Sequence, residues 1–274
     1  MSTTTATETT APRTTPSRPA AHRDHAPIPF TRLVSVEARK MFNTRSGFWM
    51  MTSIVLLALA ATATTILFTD PEDLDYGRFA GAIGTPMAII LPMVAVLAVT
   101  SEWSQRSALT TFTLVPSRNR VIAAKAVVTV LVGVISMVIA TAVGALGNVV
   151  GTAIAGVDPV WSFSLREFGQ IVLANEIGMF IGFTLGVLIR NSPGAIVGYF
   201  VFSLVLPGIS GALAASQQWY ADNVGWVDLN WTTYKLFDSE LSSTEWSQLA
   251  FTTTLWVLVP LALGLVLLRR SEVK

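Results

Sequence analysis

Apolar residues gather into six long runs along this chain, over 48–68, 79–100, 121–148, 167–189, 193–215 and 246–268. Each comes near the ~20 residues that a helix needs to cross ~30 Å of hydrocarbon. The third is long enough to tilt or to extend beyond a bilayer. No long alternation of polar and apolar positions occurs, which disfavours an outer-membrane barrel. Ahead of the first run, Phe30, Leu33, Val34, Ala38, Met41 and Phe42 recur at helical spacing, with Arg32, Arg39, Lys40 and Arg45 on the other faces. That pattern predicts an amphipathic helix over 29–46 lying in the bilayer interface. The alternative is a plain extension of the first spanning helix. Residues 1–28 are rich in Thr, Ala, Pro and Arg, have little to bury, and are expected to form a disordered cytoplasmic tail. They lack the apolar stretch of a secretory signal. The expected fold class is an all-α integral membrane protein, a single six-span domain over 29–274 behind an N-terminal interfacial helix.

Composition agrees with that pattern. Hydrophobic residues make up 52% of the 274 and charged residues 13%, whereas a soluble domain carries about 25% charge. The absence of cysteine excludes disulfides, thiolate metal sites and thiol catalysis. The only histidines, His22 and His25, fall in the polar tail, so neither a metal site nor a histidine base is expected in the bilayer. The distribution of charge says more than the net value of +1. Seven Lys/Arg precede the first run, and Arg106, Arg118, Arg120, Lys125, Arg190, Arg269, Arg270 and Lys274 fall on the same side. Only Arg78, Arg166 and Lys235 fall on the other, fifteen against three. The excess predicts that both termini are cytoplasmic, in a bacterial cytoplasmic membrane. The loops opposite are acidic. The largest of them, 216–245, carries Trp219, Tyr220, Trp226, Trp231 and Tyr234, with Trp246 just beyond it. Rings of this kind prefer the headgroup level, so the segment is expected to fold back on the outer leaflet.

Candidate chemistry is sparse. No GxxxxGK[ST] loop is present, so the chain does not cradle a triphosphate by that route and is not expected to be an enzyme. Gly208-Ile209-Ser210-Gly211 matches the short serine motif of intramembrane proteases, but no span holds a histidine to activate it. A bend beside Pro207 is the simpler reading. No HExxH and no pair of membrane aspartates occurs. One acid, Glu176, stands inside a run, ~13 Å from its start and near the midplane. A carboxylate there is costly and faces a cavity or a partner. It is either a cation- or proton-sensitive element of a pathway or a structural hydrogen-bonding group reaching Ser136, Thr141 or Asn148. A helix that starts later would leave it near the interface. The stripes Gly178/Gly182/Gly186, Gly194/Gly198 and Ser136/Ala140/Gly144 predict close helix contacts, within the chain or across a dimer. Asn230-Trp231-Thr232 is a formal glycosylation sequon.

The internal loop 101–120 is the most informative segment. Glu102 closes the second run, a short stretch of mixed polarity ends at Pro116, and Arg118 leads to Lys125 in the third run. This order resembles the permease subunits of type-2 ABC transporters, in which a glutamate ends the second span, a short coupling helix follows, and a Pro-x-Arg turn leads to a lysine. Arg106-Ser107-x-Leu109-Thr110 looks like actinobacterial variants of that loop. The basic lead-in ending Thr44-Arg45-Ser46-Gly47-Phe48-Trp49, the turn Arg190-Asn191-Ser192-Pro193-Gly194-Ala195 and the aromatic loop are similar to the family in the same order. The resemblance implies a permease working as a homodimer or heterodimer with two copies of a separate ATP-binding subunit, which would hold ATP and Mg. It implies export of an amphipathic or hydrophobic compound such as a drug, antibiotic or lipid-like molecule. Trp103, Leu109, Phe112 and Leu114 would then be contacts to the ATPase, since exposed apolar residues on such a loop want a partner. Glu102 would pair with Arg106, four residues on, or reach the ATPase itself. The pathway would be lined from spans one, two and five, with Thr85, Pro86, Met87, Pro92 and Met93 as candidates. Rival readings are an ion-coupled carrier using Glu176 and a non-transporting sensor or scaffold. Nothing in the chain predicts a nucleic-acid partner.

Overall fold

The computed structural model describes residues 28–43, 45–104, 118–238 and 240–270. The tail and most of the internal loop, including Arg106, Leu109, Phe112, Leu114 and Pro116, lie outside them. The described chain is helical: α1 (Phe30–Asn43), α2 (Arg45–Phe68), α3 (Tyr76–Ser104), α4 (Arg118–Ala155), α5 (Leu165–Ile189), α6 (Ser192–Ser216), α7 (Gln218–Val227), α8 (Leu229–Asp238) and α9 (Ser243–Arg270). No strand occurs among the described residues, only one bridge between Asp75 and Val160. Six helices, α2 to α6 and α9, are long and apolar enough to cross a membrane, which fits a multi-pass membrane protein.

Two of these helices start at polar caps at the head of the apolar run. Ser164 and Glu167 form a reciprocal capping box at the head of α5, and Ser242 and Glu245 form another at the head of α9. Each satisfies backbone N–H groups that have no partner within the helix. The turn from α5 to α6 is sharp. Arg190 takes a left-handed conformation (φ 55°) while its N–H donates to the Gly186 carbonyl, and the Asn191 side chain accepts from Gly194 N at 2.9 Å. A side chain in that backbone region costs roughly 1–2 kcal/mol, so the two caps hold a conformation that arginine does not choose by itself.

The helix ends fall into two groups. α1, the last turn of α3, the first turns of α4 and α6 and the end of α9 meet at one end, the proximal one. There Arg118 Nη1 donates to Leu268 O at 2.5 Å and Arg120 Nη2 to Ile28 O at 2.6 Å. α7 and α8 close the distal end. All three basic residues there are ion-paired: Arg78 with Asp73 at 3.2 Å, Arg166 with Glu240, and Lys235 with Glu245. Between the two ends α3 and α5 form the centre, with Phe79, Met87 and Leu91 of α3 and Met179 and Phe183 of α5 fully buried.

Small residues decide how closely α3 and α5 approach. A methyl group added at Gly182 would lie 2.6 Å from the Pro92 carbonyl oxygen, and one at Gly186 would lie 3.1 Å from Val99 Cβ. The Gly178/Gly182/Gly186 stripe therefore faces α3 of the same chain. Gly144 of the α4 stripe faces Ile83 and Tyr76 of α3.

Proline within these helices removes a donor and leaves a carbonyl unbonded, and lipid offers no replacement. Pro92 orphans the carbonyl four residues earlier, at Ala88. Tyr199 of α6 donates its hydroxyl to that oxygen at 3.0 Å. In α6 a π-helical turn over 201–205 shifts the bonding register by one, with Leu206 N bonding Val201 O. In that register Pro207 orphans the Phe202 carbonyl, and Asn230 Nδ2 of α8 donates to it at 3.1 Å. The sequon asparagine is thus engaged in packing, and its Thr232 is 1% exposed.

Gly182→Ala is expected to lower stability by about 1–3 kcal/mol, because backbone rather than a flexible side chain must move. Gly211→Ala, where nothing lies within 4 Å, is expected to be neutral or stabilising. Thermal unfolding of both variants in one detergent checks the contrast; equal midpoints would mean that α5 does not seat on Pro92.

Candidate functional site

Four charged side chains from three helices meet at the proximal end. Glu37 and Lys40 lie one turn apart on α1, Glu102 stands in the last turn of α3, and Lys125 in the second turn of α4. Lys125 Nζ donates to Glu37 Oε2 at 2.6 Å and to the Ala98 carbonyl at 3.0 Å, and lies 3.3 Å from Glu102 Oε1. Three acceptors complete the capacity of an ammonium group. Lys40 Nζ donates to Glu37 Oε1 at 2.7 Å and to Glu102 Oε1 at 2.9 Å. The set is neutral in sum, and three of its members are almost wholly buried, with Lys125 3%, Glu37 7% and Glu102 4% exposed in the side chain. Only Lys40 keeps substantial access to solvent, at 42%.

Sequence reasoning named Glu102 and Lys125 but missed Glu37, and it set Lys40 apart on a polar face. The structure corrects both points. Glu37 occupies the apolar side of α1, in line with Leu33 and Met41 at i and i+8, and an acid there needs a buried cation. That i, i+4, i+8 register was the available signal. The expected pairing of Glu102 with Arg106 falls outside the described residues. What is described is its contact with the two lysines.

The quartet forms one wall of a cavity of about 360 Å³ reaching from α1 to the start of α6. Met41, Met50, Met51, Val94 and Leu97 supply its apolar side; Ser101, Ser104 and Ser192 add hydroxyls. The hydroxyls of Ser104 and Ser192 form a chain with that of Thr100: Thr100 Oγ1 donates to Val96 O at 2.9 Å, Ser192 Oγ lies 2.7 Å from Thr100 Oγ1, and Ser104 Oγ lies 2.8 Å from Ser192 Oγ. Because Thr100 gives its hydrogen to Val96, Ser192 donates to Thr100 and Ser104 to Ser192.

The other predicted residues are placed as follows. Trp103 is half-buried against the main core cluster. Arg118 closes the end of α9 through the Leu268 carbonyl. Met87 and Pro92 are buried, Met93 packs against a second cluster, Pro86 is half-buried, and Thr85 is exposed with its hydroxyl on Gly81 O. These five do not share one face. Ser210 of the protease-like motif pairs with the Tyr220 hydroxyl at 2.9 Å, which is no base for a nucleophile. Among the described residues no group of acids or histidines is arranged to hold a metal.

Glu176 is the opposite of the quartet. Both its carboxyl oxygens are buried and have no hydrogen-bond partner among the described residues. Thr141 donates to Met137 O and Asn148 to Val160 O, so neither serves it, and Ser136 does not reach it. The carboxyl lies against Gly133 of α4, where any side chain would collide with it.

Removing one member of a buried ionic set leaves an uncompensated charge and costs about 3–5 kcal/mol. Lys125→Met is expected to do so, and adding Glu37→Gln should recover part of the loss by restoring neutrality. Glu176→Gln, in contrast, should be neutral or stabilising, since it removes an ionisable group that has no partner among the described residues. Unfolding midpoints of the three variants test this; a large loss at Glu176→Gln would mean that it has a hidden counter-charge.

Lys40 titrates higher than usual. Burial lowers its pKa, but hydrogen bonds and charge from Glu37 and Glu102 together outweigh that and raise it above 10.5. A raised value means that the stabilisation is complete below the unfolded pKa and is lost as pH climbs through the folded one. The gap in midpoint between wild type and Lys40→Met should hold steady from about pH 6 to 9 and close only above 10.5. A gap that closes near neutrality would rule out the paired ammonium.

No protein-family model and no curated protein matches this sequence.

Proposed function

We propose that this chain is the membrane-spanning permease subunit of an ATP-driven exporter of the type-2 ABC class. It carries an amphipathic or hydrophobic compound out of the cytoplasm of a bacterium. Two copies of the permease would act with two copies of a separate ATP-binding subunit that supplies ATP and Mg. The proximal end is read as cytoplasmic, with both termini on that side and α1 lying in the headgroup layer. Its support is the fifteen-to-three asymmetry of basic residues. A second support is that the three distal basic residues are all ion-paired with acids.

One observation carries the reading. Residues 105–117 connect α3 to α4, and the quartet clamps both flanks of that connection to α1, through Glu102 before it and Lys125 after it. A partner that pushed on the connection would move α1, α3 and α4 as one body, since the buried charges do not separate cheaply. That is the mechanical behaviour required of a coupling element. The unpartnered carboxyl of Glu176 favours a second reading, an ion-coupled carrier in which that group takes up and releases a proton.

Affinity purification of the tagged full-length chain from native membranes in mild detergent, followed by mass spectrometry, separates the two. A near-stoichiometric partner bearing a phosphate-loop motif is expected. Glu102→Gln should lower stability like any loss from the quartet, and in the complexes that still assemble transport per ATP hydrolysed should fall by about tenfold, the equivalent of ~1.4 kcal/mol of lost coupling. Repeated absence of such a partner from a folded preparation, with transport driven by a proton gradient and stopped by Glu176→Gln, would replace this reading with the carrier.

A further inference from the structure

The cavity beside the quartet has a chemistry that the coupling role does not use. Lys125 has all three of its hydrogens occupied by Glu37, Glu102 and Ala98. Lys40 has two acceptors, Glu37 and Glu102, so one N–H on its solvent-accessible side has no acceptor among the described residues. Ser101 lines the same space, and its hydroxyl has no partner among the described residues. Both oxygens of Glu37 are already taken by lysines. Glu102 engages both lysines through Oε1, so the wall turns the Lys40 N–H and the Ser101 hydroxyl to the cavity while Glu37 is fully occupied, an arrangement that favours an anionic headgroup. Opposite the donors stand Met41, Met50 and Met51, flexible apolar side chains that accommodate varied shapes. A volume of about 360 Å³ falls in the range, about 300–1,000 Å³, of small-molecule sites.

We propose that this cavity binds an anionic amphiphile, its phosphate or carboxylate headgroup on the remaining N–H of Lys40 and the Ser101 hydroxyl and the first part of its chain along Met50 and Met51. The proposal rests on the membrane-permease reading only in placing α1 at the headgroup layer, where such molecules are concentrated. Neither ATP nor a partner subunit enters it. Two sources share the chemistry, a phospholipid of the surrounding bilayer and a free single-chain amphiphile.

The test uses the full-length chain in phosphatidylcholine nanodiscs, probed with stearic acid spin-labelled near its carboxyl and with the methyl ester of the same probe. At about pH 9 the acid is ionised and Lys40 is still charged. A motionally restricted component is expected for the acid, weaker by about fivefold for the ester, the factor associated with one lysine facing an anionic headgroup. Met51→Phe fills the apolar side while leaving the quartet untouched, and should reduce the component to the ester's level. Lys40→Gln should do the same if its unfolding midpoint confirms that it folds. Equal binding of acid and ester, or full binding by folded Met51→Phe, would overturn the proposal. Nanodiscs containing phosphatidylglycerol separate the sources: loss of the probe signal identifies the bilayer lipid as occupant, and persistence identifies a free amphiphile. Since the readout needs no ATPase, failure here leaves the exporter reading standing, and absence of an ATP-binding partner leaves this result standing.

Discussion

The ammonium group of Lys125 is the constraint on which the proximal half of this protein depends. It is 3% exposed and reaches acceptors on two different helices, Glu37 of α1 and Glu102 and Ala98 O of α3, from its own place on α4. A lysine so buried without its acceptors would lose several kcal/mol of solvation with nothing in return. The three helices are therefore held in the one relative position that brings both carboxylates to it. Lys40 completes neutrality from the rim. The cavity, the two flanks of the 105–117 connection and the attachment of α1 to the bundle all inherit their geometry from that arrangement.

A second constraint acts through the backbone. In a bundle exposed to hydrocarbon, every carbonyl released by a proline needs a protein donor. Ala88 finds the Tyr199 hydroxyl and Phe202 finds the Asn230 amide. These bonds tie α3 to α6 and α6 to α8 where apolar packing alone would leave the helices free to slide. Gly182 then seats α5 on the carbonyl of Pro92 itself. Pro92 thus organises two neighbours, α6 through the donor it lacks and α5 through the carbonyl that Gly182 packs against. Glu176 stands outside this economy. Gly133 gives its carboxyl space, and no described group gives it a hydrogen bond. A polar group accommodated sterically but left unsatisfied differs from the quartet, in which burial and pairing are matched.

Much of the fold was legible because length and hydrophobicity are properties of each segment by itself. All six long helices fall where apolar runs meet the membrane criterion. Their polar heads were not assigned, although Ser164-x-x-Glu167 and Ser242-x-x-Glu245 are capping sequences in plain view; hydropathy registers the apolar run and is silent on the cap ahead of it. Of the candidate site, Glu102 and Lys125 were named through the resemblance. Glu37 was obscured by the basic residues around it on α1. The partner proposed for Glu102, Arg106, came from i, i+4 spacing, which detects neighbours on one helix and is blind to those on another.

From the sequence alone followed the number of helices long and apolar enough to span a membrane, the amphipathic pattern of α1, the absence of cysteine and of a phosphate-loop motif, and the uneven spread of basic residues among the segments between the runs. Each is a sum over local residue properties, and such sums survive without coordinates. The tertiary structure decided which glycine stripe meets which helix, which hydroxyl and amide close the orphaned carbonyls, and which lysines share Glu37 and Glu102. Those choices depend on how helices cross and on how far flexible side chains reach across the gap, over distances of a few ångströms that no periodicity along one chain encodes.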